Sequence, residues 1–155
     1  MGENRRLLIL ADPITGHSRF SQMYTEAKTL VFHESGRYLS RAQTALQELR
    51  REAEWICLAG SGAAAWIALA LAAQLPVERA AIWMDGKPCL NRELHRIQTF
   101  ARRNLSLLIS EILLVDGTAG DYRRLAGGLG RHAGLKCVNG AALRREDLLG
   151  SWTEG

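Results

Sequence analysis

A short apolar run, Trp55-Ile56-Cys57-Leu58-Ala59, enters the turn Gly60-Ser61-Gly62 and leaves at once as an Ala-rich helical segment that stops before Pro76. A chain that passes from strand to helix in three residues must fold the helix back over the sheet that holds the strand. The same alternation recurs along the whole sequence. Apolar runs at 7–10, 29–32, 80–84, 112–115 and 135–138 read as five further strands. Helical spacing separates them: a short segment at 20–28, then 37–54, 90–105, 122–132 broken at Gly127-Gly128, and a last one at 144–152. Each crossover must return the chain to the same end of the sheet, so the expectation is a three-layer, doubly wound α/β fold with about six parallel strands. Right-handed crossovers give the strand order 2-1-3-4-5-6.

Composition fits one domain over residues 1–155, since a chain of this length with 47% hydrophobic residues can bury a sizeable core. The net charge of +4 comes with arginine pairs such as Arg50-Arg51 and Arg102-Arg103. These sit beside apolar helix positions and read as solvated helix faces, so no nucleic-acid partner is expected. Cys57, Cys89 and Cys137 are odd in number and lack ligand spacing, so no metal is expected. The apolar stretch at 62–75 is too short for a membrane span, and the first residues carry no long apolar core, which gives the cytoplasm as the expected location.

In such a sheet, function gathers at the carboxyl ends of the strands. That edge collects residues 12–18, 33–36, 60–62, 85–86, 116–121 and 139–140. Ser61 has two readings there. It is a nucleophile presented on a strained turn, with the N–H of Gly62 facing developing negative charge, or it is an ordinary helix N-cap. Dinucleotide binding is the weaker use of the edge, because the first strand runs into Ala11-Asp12-Pro13-Ile14-Thr15-Gly16, without the Gly-x-Gly-x-x-Gly spacing. No cofactor is expected. Asp85 and Asp116, each before a glycine at a strand end, read as turn formers, and Trp66 and Trp83 as core.

Residues 57–76 and the strand at 77–83 after them resemble the nucleophile strand, elbow, helix and following strand of the α/β-hydrolase family. Residues 8–18 are similar to that family's oxyanion loop, and residues 112–121 to the strand and loop that carry its acid. The resemblance implies Ser61 as nucleophile, Asp121 as acid, and the N–H groups of Gly62 and Ile14 as oxyanion donors. Asp85 is the alternative acid, as it ends the strand after the nucleophile strand. The family's His-Gly pair is Asp12-Pro13 here, which puts a carboxylate near the site.

The family's catalytic histidine follows the last strand, where this chain reads Asn139-Gly140-Ala141-Ala142. Without a base a serine hydroxyl is a poor nucleophile. His17 in the oxyanion loop is the substitute base, His33 a more distant one, and His95 and His132 lie on helices. The resemblance therefore implies a serine ester or thioester hydrolase of weak or lost activity, with a small-molecule ester or thioester as its substrate. The alternative is a non-catalytic binding or scaffold protein of α/β-hydrolase-like or Rossmann-like fold. An uncovered edge at 29–32 adds the expectation of a homodimer.

Overall fold

The computed structural model describes residues 4–22, 27–32, 36–84, 91–116 and 121–152. Among these, six strands form one all-parallel sheet: β1 (Arg5–Leu10), β2 (Lys28–Leu30), β3 (Trp55–Ser61), β4 (Arg79–Met84), β5 (Glu111–Asp116) and β6 (Leu135–Asn139). Their order is β2-β1-β3-β4-β5-β6, the order expected from the sequence. The helices are α1 (Tyr38–Arg50), α2 (Ala63–Gln74), α3 (Arg92–Arg103), α4 (Asp121–Gly128) and α5 (Arg145–Leu149). No helix among the described residues is long and apolar enough to cross a membrane.

The handedness of parallel crossovers explains which face each helix covers. From β2 onward the chain advances across the sheet in one direction, so α1 to α4 all pack on the same face. Their core includes Leu46, Leu49, Leu94, Ile97, Leu125 and Leu129, set against Leu8, Leu58, Ile82 and Leu114 of the sheet. The step from β1 to β2 runs the other way and places Phe20 on the opposite face with Cys57, Ala59, Leu113 and Leu148. That outer layer is thin. The helix expected at 20–28 is a 3-10 turn over Arg19–Gln22 followed by residues outside the description, and β2 is three residues long. Helix α4 stops at the glycine pair where its pattern weakened, because glycine adds backbone entropy to the cost of every further turn.

Helix α2 is buried from Ala63 to Ala72, pressed between the sheet, α1 and α3. A helix apolar on all sides is suited to that position, and its alanines let neighbours approach on every flank. At the amino end of the sheet, Arg79 of β4 is only 1% exposed. Its guanidinium carbon lies 3.9 Å from the Trp152 ring centroid and 4.7 Å from that of Trp55. It donates to Glu111 Oε1 at 2.8 Å and to the carbonyls of Asp147 and Leu148 at 3.0 and 2.9 Å. This ties α5 to the sheet.

Truncating Arg79→Ala leaves the Leu148 carbonyl without its donor and the Asp147 carbonyl with only the Trp152 indole N–H, and is expected to cost about 1–3 kcal/mol in urea unfolding. Burial pushes the Cys57 thiol up to about 12, against the pull of Arg79, whereas Cys137 is exposed. Site-mapped alkylation of the native protein should therefore modify Cys137 and spare Cys57 until denaturant is added.

Candidate functional site

Ser61 is the last residue of β3, paired in register with Trp83 of β4. The chain turns at the next residue: Gly62 has φ 61° and ψ −130°, outside the basins open to residues with a side chain. In a strand–turn–helix elbow the strained residue is the one whose side chain stands clear of the sheet. That residue is Gly62, so the expectation that the strain falls on Ser61 is corrected by one position. The cause is the contact between strand and helix. A Cβ on Gly60 would lie 2.3 Å from the Ala64 carbonyl oxygen, so the small residues that allow the close approach are Gly60 and Ala64, centred on Gly62.

Ser61 keeps its place in the strand alternation and shares the face of Cys57 and Ala59, where it is 3% exposed. Its Oγ accepts a hydrogen bond from the Arg19 backbone N–H at 3.2 Å and lies 3.5 Å from Ser18 Oγ. Ser18 Oγ in turn accepts from the Phe20 N–H at 3.2 Å. Phe20 meets the Trp83 ring edge-to-face, with centroids 5.4 Å apart. The hydroxyl thus fastens the 3-10 turn to the sheet.

Asp12 occupies the space in front of the elbow. Its Oδ2 lies 2.3 Å from where a Cβ on Gly62 would stand. Its Oδ1 accepts the Ile14 N–H at 2.9 Å. Two backbone bonds brace the loop, Asp12 N–H to the His17 carbonyl at 2.9 Å and Gly16 N–H to the Asp12 carbonyl at 2.7 Å. Gly62 is the N-cap of α2, which has no side-chain cap and no acidic residue in its first turn. The carboxylate supplied by Asp12 therefore sits where the helix macrodipole favours negative charge.

Both expected oxyanion donors are engaged in this arrangement: Ile14 with Asp12, and Gly62 with the Trp83 carbonyl at 3.2 Å. His17 is exposed, its N–H directed to Thr15 Oγ1 at 3.3 Å, and its imidazole is not among the groups that reach Ser61 Oγ. Asp121 opens α4, with its side chain outside the description; His33, Asp85 and residues 117–120 also lie outside the described residues. Ser61, Gly62, Ile14 and His17 share one sheet edge without a contact between serine and base. Beside them opens a cavity of about 280 Å³ lined by Ala11, Gly16, His17, Ser18, Ser21 and Thr29. Among the described residues, no group of three or more His, Cys, Asp or Glu side chains could hold a metal ion.

Est1E from Butyrivibrio proteoclasticus shares this architecture, with a TM-score of 0.66 at 14% sequence identity over 89% of this chain and 79% of that one. The fold is α/β-hydrolase-like. No protein-family model matches the sequence, and no curated protein matches it either. Within this fold, the elbow of the present chain reads Gly60-Ser61-Gly62-Ala63-Ala64, with glycine at the apex. The sequence carried both frames, since Ala59-x-Ser61-x-Ala63 and Gly60-x-Gly62-x-Ala64 each place small residues around the turn. The sequence placed the Asp12 carboxylate near the site, through Asp12-Pro13 standing where the family has His-Gly, but not its position in front of Gly62.

Gly62→Ala is expected to lose about 1–3 kcal/mol from backbone strain, with the collision against Asp12 added to it. Asp12→Ala should relieve the collision. In a double-mutant cycle read by urea unfolding, the pair should then cost about 0.5–3 kcal/mol less than the sum of the single changes.

Proposed function

We propose that this chain is a binding protein of α/β-hydrolase-like fold that has lost serine ester or thioester hydrolysis. One observation carries the reading: the Asp12 carboxylate fills the space in front of the elbow apex and takes the Ile14 N–H for itself. Acyl transfer needs a nucleophile at the apex, a base against it and free donors where the oxyanion forms. Here the apex has no side chain, and the nearest anion is a permanent part of the loop. A carbonyl oxygen gaining negative charge at that point would meet a like charge, so the electrostatics that favour hydrolysis in such a fold are reversed.

Est1E is an esterase, and the similarity to it supports the frame rather than the chemistry. The loss of the histidine after β6 and the glycine at the apex point the same way. In the second reading, Ser61 acts as a weak nucleophile with His17 as base. It would require Ser61 to exchange its contacts with Ser18 and Arg19 for the imidazole, and its burial opposes that.

A fluorophosphonate probe followed by peptide mapping separates the two readings. The expected result is no adduct on Ser61, with p-nitrophenyl acetate hydrolysis equal in the wild type and Ser61→Ala. A Ser61 adduct, with turnover near an ordinary enzyme rate of about 10 per second that both Ser61→Ala and His17→Ala abolish, would overturn the proposal.

A further inference from the structure

The most exposed large apolar side chains among the described residues are Ile109, at 76%, and Leu107, at 56%. They stand two positions apart in the segment that leads from α3 into β5. That segment is held from within. It opens as a 3-10 turn over Leu105–Leu107, Leu108 is buried in the core, and the Ser110 carbonyl meets His132 Nε2 at 2.5 Å. Leu107 and Ile109 alternate with these anchored residues and face solvent. A single exposed aliphatic residue is ordinary on a protein surface. A pair held outward by buried neighbours becomes informative when its surroundings select a partner.

The surroundings are basic. No aspartate or glutamate occurs from Leu94 to Ser110 or from Tyr122 to Arg145. Arg103 ends α3 directly before the turn, Arg131 lines a cavity of about 420 Å³ with Leu105 and Ser106, and Arg124 lines another of about 310 Å³ with Leu105. All three arginines are exposed. Arg102 is engaged over the Trp66 ring and is not counted with them. Glu111, which follows the segment, has its carboxylate on Arg79 at 2.8 Å. From this arrangement we infer that the face docks reversibly on an anionic lipid membrane, with Leu107 and Ile109 entering the interface and Arg103, Arg124 and Arg131 over the head groups. Aliphatic side chains that project outward suit a fluid interface that closes around any shape, and cations without interspersed carboxylates complement anionic lipid. Nucleic acid would use the arginines, but its stacking platforms are aromatic and the projecting pair is not. A contact of this kind needs no membrane-crossing helix. The segment lies at the amino end of the sheet, so docking turns the elbow edge with Ser61 away from the lipid.

Co-sedimentation of the full chain with vesicles tests this. The chain is expected to partition onto phosphatidylcholine vesicles in which phosphatidylserine replaces about a third of the lipid, less so as salt is raised, and not onto phosphatidylcholine alone. Leu107→Ser combined with Ile109→Ser should lower partitioning on the order of tenfold, and Arg103→Gln or Arg131→Gln about fivefold each. All four changes are at exposed positions. Val31→Ser, an exposed apolar change at the other end of the sheet, should leave partitioning as it is. The proposal is overturned if the chain stays in the supernatant with both vesicle types, or if neutral vesicles bind it as well. It is equally overturned if the Leu107 and Ile109 changes or the arginine changes have no effect, or if Val31→Ser lowers partitioning as much. Binding of polyglutamate or of a DNA oligonucleotide that is lost in the Leu107 and Ile109 variant would assign the pair to a macromolecule in solution and overturn it too.

Discussion

The direct approach of the β3 backbone to the first turn of α2 governs this structure. Gly60 stands so near the Ala64 carbonyl that a Cβ would fall within 2.3 Å of it. No side chain separates strand from helix there. The chain must therefore reverse within one residue, and that residue, Gly62, takes a backbone conformation available at low cost only without a Cβ. The Ala-rich character of α2 continues the same theme. A helix set this close to the sheet and flanked by α1 and α3 has room for small side chains, and Ala63 to Ala72 are buried accordingly.

The tight elbow brings the N-terminus of α2 to the edge where the β1 loop ends, and what that loop offers decides the chemistry. Helix α2 has no acidic residue in its first turn, and the loop delivers Asp12 to it. A carboxylate in that position stabilises the helix end and takes one N–H of the loop, but it occupies the place where a hydrolase keeps reacting atoms. In the proposed binding role, that volume serves fold stability rather than catalysis. Ser61 shows the same outcome, since its hydroxyl holds the 3-10 turn against the sheet.

The two faces of the sheet are covered unequally for a topological reason. Once the chain has stepped from β1 to β2, all later crossovers advance in one direction and right-handedness sends α1 to α4 to one side. The other side is left with Phe20, α5 and the C-terminal segment. Arg79 answers this thin cover by stacking between Trp55 and Trp152 while donating to Glu111 and to two carbonyls near α5. A cation at the start of an apolar strand gave no warning of this, because its partners lie 24 residues before it and 32 to 73 residues after it in the chain.

The sequence by itself determined the strands and their expected order, because period-2 and period-3.6 patterns are local and crossover handedness leaves few alternatives, but that α1 to α4 share one face came only from the structure. The sequence also showed where α4 would fail, at Gly127-Gly128. The frame of the elbow was not legible in the same way: Ala59-x-Ser61-x-Ala63 and Gly60-x-Gly62-x-Ala64 both satisfy a pattern of small residues, and they differ by one position. Only the packed structure chose between them, since the choice depends on which strand residue touches the helix, a distance that no local pattern encodes. The same holds for Asp12 and for Trp66. Asp12 was readable as a carboxylate near the site and Trp66 as core. That one faces the elbow apex and the other lines a cavity beside two arginines follows from elements brought together by the sheet, because hydrogen-bond partners and cavities exist only after distant segments have met.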